Sequence, residues 1–246
     1  MVIRLNAKNK ISKTVPFCFV LFACREAIMA NENMKFDSDF IYKLGKELAK
    51  GLPGEEVQYR MAPSYRPRMN KDEILAQNPR LGGVMLLLYV KGEELYVVFT
   101  QRKDYNGVHG GQMSFPGGKK DVLDEDMVQT ALRETYEEIG IEKNKIKILG
   151  KLSELYIPPS NFLVYPVVGY AREINDFIPQ KTEVEKVVEI PLSFFLDKAN
   201  INLHTEIKLF NGAVVQVPAY VYNNHIIWGA TAIILSEFTF VVESIK

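Results

Sequence analysis

An α/β sandwich is the fold class this sequence predicts, and three observations predict it. Two β-rich runs, 83–90 and 95–101, flank a turn at Gly92 and read as a hairpin. A helix follows between Asp124 and Gly140, with Val128, Ala131, Leu132, Thr135 and Ile139 sharing one face for a core. Strand-length apolar runs then alternate with two helical stretches to the end, and strands interleaved with a few helices build a sheet covered by helices.

The elements follow in order. Phe40, Ile41, Leu44 and Leu48 recur at helical spacing behind the capping candidates Asp37 and Ser38, and Gly51 and Pro53 stop the pattern. Residues 54–80, with Pro63, Pro67 and Pro79, lack a period and predict an extended crossing segment. After the hairpin and the central helix, strands are expected at 146–155, 163–170, 187–190, 207–209 and 214–222, and helices at 191–196 and 230–242. No repeat or low-complexity tract interrupts this order.

With 246 residues, 47% of them hydrophobic, the chain supplies the core of one domain, expected at 34–246 with its centre over about 80–240. Thirty basic and thirty acidic residues leave no net charge, which indicates no nucleic acid or anionic membrane as partner and favours a small molecule. A homodimer stays open. Cys18 and Cys24 are the two cysteines, so the body has neither a disulfide framework nor a cysteine metal site.

Residues 1–33 read as a leader outside the mature fold. Arg4, Lys8, Lys10 and Lys13 precede an apolar run at 15–24, the shape of a short signal peptide too short to span a bilayer. Leu21-Phe22-Ala23-Cys24 approximates a lipoprotein cleavage site, so export through a leader at 1–24 is one alternative. The reading adopted is a start at Met29 or Met34 and a cytoplasmic protein with no membrane in its mature form.

The chemistry concentrates in Arg133-Glu134-Thr135-Tyr136-Glu137-Glu138-Ile139-Gly140. On a helix, Glu134, Glu137 and Glu138 fall within an arc of roughly 100°. Like charges so placed repel by roughly 0.2–0.5 kcal/mol per pair, and a hard divalent cation removes the penalty. Carboxylate oxygens suit magnesium or manganese better than zinc. Upstream, Phe115-Pro116-Gly117-Gly118 makes a rigid turn whose glycines let backbone approach a metal or phosphate. Asp124 is the candidate N-cap of the helix and Gly140 its C-terminal stop.

This segment resembles the signature of the Nudix hydrolases, a glycine followed by Glu and then Arg-Glu-x-x-Glu-Glu-x-Gly. Two departures stand out. The loop is one residue longer, with Gly118 in the opening glycine's place, which leaves Asp124 and Glu125 both open as the early acidic residue; and Thr135 replaces an aliphatic residue. The resemblance implies a Nudix-type α/β/α sandwich with a mixed central sheet and a loop-helix-loop signature. It further implies that Glu134, Glu137, Glu138 and the Gly118 carbonyl hold Mg2+ or Mn2+, and that Arg133 orients the acids of a diphosphate-cutting site.

Thr100-Gln101-Arg102 with His109-Gly110-Gly111-Gln112-Met113-Ser114-Phe115-Pro116 is similar to the extra motif of the coenzyme A pyrophosphatase branch. In that comparison Gly107 stands where a second arginine is expected, and Lys103 where a small residue is. Segments 155–169 and 227–232 resemble the same branch, with Trp228, Val167 and Val168 expected in the core. The branch implies Arg102, His109, Gln112, Ser114 and Phe115 as substrate contacts, and a substrate cut to phosphopantetheine and adenosine 3′,5′-bisphosphate. ADP-ribose, a dinucleotide or a nucleoside triphosphate is the alternative substrate, and a non-catalytic nucleotide-binding module a second alternative. The general base stays open among Glu183, Glu185, Glu189, Glu137 and Glu138.

Overall fold

The structure is a computed structural model and describes residues 36–103, 111–209 and 211–245. The expected leader, His109 and Gly107 lie outside the described residues.

The central strand explains the architecture. β1 (Arg80–Lys91) pairs antiparallel with β2 (Glu94–Arg102), parallel with β7 (Phe162–Ala171) and, near its start, antiparallel with β4 (Gly117–Lys119). The predicted hairpin is thus present, one to three residues longer at each end. β3 (Met113–Ser114) and β8 (Val184–Pro191) add to β2, while β5 (Lys147–Lys151) and β6 (Leu155–Ile157) add to β7. The result is an eight-stranded mixed sheet among the described residues.

Met85 through Tyr89 are all buried, as a strand covered on both faces requires. Met85, Leu87 and Tyr89 pack with Ala131, Leu132 and Ile139 of α4 (Met127–Ile139). On the opposite face, Phe99 of β2 stacks on Phe115, ring centroids 5.2 Å apart, and meets Phe195 of α5 (Leu192–Leu196). That side is closed by α6 (Gly229–Glu243), a predominantly apolar helix buried along most of its length, with Glu237 among its buried residues. The arrangement is the α/β/α sandwich with a mixed sheet.

The first helix, α1 (Ser38–Leu48), begins at Asp37, whose carboxylate accepts from the N–H groups of Asp39 and Phe40. Its predicted stripe is its buried face. Elsewhere the structure corrects the expectations. Segment 54–80 is not simply extended: α2 (Glu55–Gln58), a 3-10 turn at Tyr59–Met61 and α3 (Lys71–Ala76) lie within it. These are too short to show a period, although Asn70 and Glu73 form a capping box legible at that spacing. The run 146–155 divides into β5 and β6. The expected 207–209 strand extends to Ile201–Lys208 as β9, which joins β10 (Val214–Tyr222) and an unanticipated β11 (His225–Trp228) in a second, three-stranded sheet.

Candidate active site

Two glycines on neighbouring strands open the site. In the β1–β4 ladder Gly83 opposes Gly118 and Gly82 opposes Lys119. A Cβ at Gly82 would stand 2.7 Å from the Gly118 carbonyl oxygen, and one at Gly118 would stand 2.5 Å from the Glu134 carboxylate. Real Cβ atoms do not approach so closely. The missing side chains therefore leave a notch in which backbone carbonyl and helix carboxylate face the same space. Gly83 serves the same end by packing: a Cβ there would meet the Met127 carbonyl at 2.6 Å, so α4 rests directly on the strand backbone.

The N-cap of α4 is Asp126, whose carboxylate accepts from the Gln129 N–H at 2.9 Å, and not Asp124 as the sequence suggested. Unlike the exposed Glu125, Asp124 turns inward. It accepts from Thr130 Oγ1 at 2.9 Å and from the Asp121 N–H at 2.9 Å, and forms a two-pronged ion pair with Arg133, Nε to Oδ1 at 3.0 Å and Nη2 to Oδ2 at 2.9 Å. Arg133 first, with the hydrogen bonds from Asp121 and Thr130, holds the Asp124 carboxyl well below the usual carboxylate range. Gly140, left-handed at φ 77°, ends the helix as expected.

From this anchor Arg133 spreads over the acidic face. Its Nη1 donates to Glu134 Oε1 at 2.9 Å and to Glu137 Oε2 at 3.0 Å, and Nη2 donates to the Lys119 carbonyl at 3.0 Å. Among the described residues no three acidic, histidine or cysteine side chains converge as a ready-made cation cage. The repulsion that a cation was expected to relieve is moderated by Arg133.

The three glutamates differ in depth. Glu137 is half exposed, Glu134 mostly covered, and Glu138 only 5% exposed. Glu138 accepts one backbone N–H, from Gly117 at 3.3 Å. Burial pushes its pKa up to about 7, against the opposing charge of Arg102. Burial likewise raises Glu134, with Arg133 acting in the other direction. Thr135 is buried on the core side, its hydroxyl donating to the Ala131 carbonyl.

A cleft of about 830 Å³ opens over the notch. Glu134, Glu137, Glu138, Gly118, Arg102, Gln112, Ser114 and Phe115 all line it. Arg133 stands behind the acids and not on the wall. Phe115 forms floor, stacked on Phe99, and Ser114 Oγ lies 3.2 Å from the Thr100 hydroxyl. Of the three later glutamates weighed as a base, only Glu183 reaches the cleft; Glu189 pairs with Lys91 at 3.2 Å. Trp228, expected in the core with the fully buried Val167 and Val168, is instead only partly buried on the cleft wall. Gly82, Arg66, Arg80 and Phe162 also line the cleft without having been singled out. The doubled glycine at the start of β1 was the available signal for the first.

With loop, helix and acids so disposed, the class is defined: the Nudix domain model matches residues 79–205, and the chain belongs to the Nudix hydrolase family. Among similar proteins, the mouse peroxisomal coenzyme A diphosphatase NUDT7 is 33% identical over 150 residues, covering 59% of this chain and 63% of that protein's own length. An uncharacterized Nudix hydrolase NudL from Photorhabdus laumondii is 33% identical over 163 residues, covering 66% of this chain and 85% of its own. A MutT/nudix family protein of Enterococcus faecalis superposes with a TM-score of 0.45 at 19% identity, covering 79% of this chain and 76% of that one.

Proposed function

We propose that this chain is a metal-dependent hydrolase that cuts the diphosphate linkage of coenzyme A or an acyl derivative into phosphopantetheine and adenosine 3′,5′-bisphosphate. The observation that carries the reading is one cleft lined by hard oxygen donors at the glycine notch and by Arg102, Gln112 and Ser114 beside them. Similarity to a relative named as a coenzyme A diphosphatase supports the choice of substrate.

The donor set fits magnesium or manganese: carboxylate oxygens of Glu134, Glu137 and Glu138 with the Gly118 carbonyl, left uncovered because Gly82 has no side chain. The chemistry such an ion supplies when bound is polarisation of a phosphoryl oxygen and activation of water. The chain's own residues do the rest. Arg133, fixed by Asp124, orients Glu134 and Glu137. Arg102 offers a planar guanidinium beside the diphosphate, where negative charge develops. The apolar wall of Val84, Val164, Phe115 and Trp228 covers the remainder of the substrate and excludes bulk water.

A second reading, hydrolysis of another nucleoside diphosphate derivative, is favoured by Gly107, which supplies no guanidinium where the coenzyme A branch pattern has its second arginine. Turnover measured on coenzyme A, ADP-ribose, NADH and nucleoside triphosphates with manganese, and again with chelator, separates the two. Preference for coenzyme A that disappears with chelator is expected. Preference for any other member of the panel overturns the choice of substrate, and turnover undiminished by chelator overturns the metal.

A further inference from the structure

We propose that the corner of the cleft formed by Arg66, Arg80 and Ser160 is a second anion subsite, which takes a phosphate monoester the substrate carries apart from the diphosphate that is cut. The inference deepens the function proposed above and rests on the reading of the cleft as a nucleotide site.

Charge along the cleft is uneven. Glu134, Glu137, Glu138 and Glu183 crowd one end, with Arg102 among them, whereas Arg66 and Arg80 line another part of the wall. Among the described residues neither of these two arginines makes an ion pair. Each is fastened to a backbone carbonyl instead: Arg66 Nη2 donates to Tyr156, and Arg80 Nη2 to Ser160 at 2.7 Å. A carbonyl fixes a guanidinium without cancelling its charge. Arg80 also lies over the Phe162 ring, 4.3 Å from its centroid, which fixes the plane of the fork.

Two further groups in the same corner lack a partner. Arg66 Nε and Ser160 Oγ are buried and make no hydrogen bond among the described residues, a state that folded proteins rarely leave uncompensated. Two uncancelled cations, a hydroxyl and an unused N–H together call for an acceptor of high charge with several oxygens. A phosphate monoester is that acceptor, and the fork of arginine matches its oxygens.

The spacing says where on the substrate this phosphate belongs. Arg80, Gly82 and Val84 alternate onto the cleft side of β1, and Gly82 uncovers the Gly118 carbonyl. Two residues of strand advance about 7 Å, and from there Arg80 reaches across the Phe162 ring to the Ser160 carbonyl. The corner is thus separated from the notch by something of the size of a sugar, not by a single bond in a phosphate chain. The substrate class is a nucleoside diphosphate derivative with an additional phosphate on its ribose. Coenzyme A has one; ADP-ribose and NADH do not.

Calorimetric binding of adenosine 3′,5′-bisphosphate and of AMP to the full chain tests this without requiring turnover. Wild type is expected to bind the bisphosphate at least about tenfold more tightly, and the ratio should fall close to one in Arg80→Gln and in Arg66→Gln. Arg68→Gln removes the same charge from a residue outside the cleft, stacked on Tyr59, and should keep the wild-type ratio. Ser160→Ala, the gentlest change, should reduce the ratio by about threefold and serves if an arginine variant does not fold. Equal binding of the two nucleotides by wild type, a ratio insensitive to Arg66, Arg80 and Ser160, or an equal fall in Arg68→Gln overturns the subsite. A chain that prefers ADP-ribose as substrate yet shows the Arg80-dependent ratio keeps the subsite and discards the coenzyme A reading. One that cleaves coenzyme A with an insensitive ratio does the reverse.

Discussion

Glu138 on α4 and Glu237 on α6 are both helix glutamates hidden from solvent, and they are held in opposite ways. Glu237, fully buried, accepts four hydrogen bonds: Oε1 from the Gly54 N–H at 3.0 Å and Ser153 Oγ at 2.6 Å, Oε2 from Gln58 Nε2 and the Ser153 N–H, each at 3.0 Å. Among the described residues Glu138 accepts a single long bond, from Gly117, and feels the like charges of Glu134 and Glu183. The first carboxylate is saturated by its own chain and ties the 54–58 segment and the loop at Ser153 to the last helix. The second keeps capacity that the fold does not use. A buried carboxylate left under-satisfied is a reservoir for binding something else, while a saturated one is a staple.

That contrast is broken most directly at Glu138. In Glu138→Gln, turnover should fall by about 1000-fold, with no loss of thermal stability, because the change removes a desolvated charge and keeps the shape. Steady-state kinetics and a thermal melt on the same preparation check it, and a drop in Tm with intact turnover would erase the distinction. Glu237→Ala should behave inversely. It abandons four donors, one of them the side chain of the buried Gln58, and should cost about 3–5 kcal/mol in denaturant unfolding. Glu237→Gln, which retains the volume and one carbonyl, should cost less. Large kinetic losses in Glu237→Gln at a temperature where it remains folded would mean that Glu237 is more than a staple.

A smaller effect separates site backbone from ordinary backbone. Gly118→Ala places a methyl 2.5 Å from the Glu134 carboxylate and should reduce turnover by about tenfold or more. Gly51→Ala, with nothing within 4 Å of its added carbon, should leave kinetics unchanged. Equal outcomes in the two variants would show that the notch does not matter to the chemistry.

Much of the acidic end was legible in the sequence because its determinants are local. The spacing of Glu134, Glu137 and Glu138 fixes their common face, and two glycines before a helix fix the loop. What escaped depends on strand register. Gly82 matters because it opposes Lys119 across a ladder, and no local pattern states that pairing. Arg66 enters the cleft from a segment whose short helices carry too few residues to show a period. Trp228 read as core alongside Val167 and Val168, yet it ends a four-residue edge strand, β11, and faces the cleft. The general base stayed open for a related reason: Glu183, Glu185 and Glu189 alternate near one strand, and only the fold distinguishes the one at the cleft from the one paired with Lys91.

Asp124 offers the finest probe, since sequence placed it as a cap and the structure places it under Arg133. With its carboxyl held well below the ordinary range by that guanidinium, folding favours the ionised form. The stabilisation is therefore complete above about pH 4, the ordinary carboxylate range, and drains away as the pH falls below it toward the depressed folded value. In Asp124→Asn the Tm near neutrality should fall by about 2–4 °C, and the offset from wild type should narrow only in that acid window. Turnover should fall as well, since Arg133 loses the anchor from which it orients Glu134 and Glu137. A cap would act differently: Asp126→Asn, which can still accept from the Gln129 N–H, should leave both the acid limb and the kinetics close to wild type. Matching acid profiles for the two variants would return Asp124 to the role of a surface carboxylate.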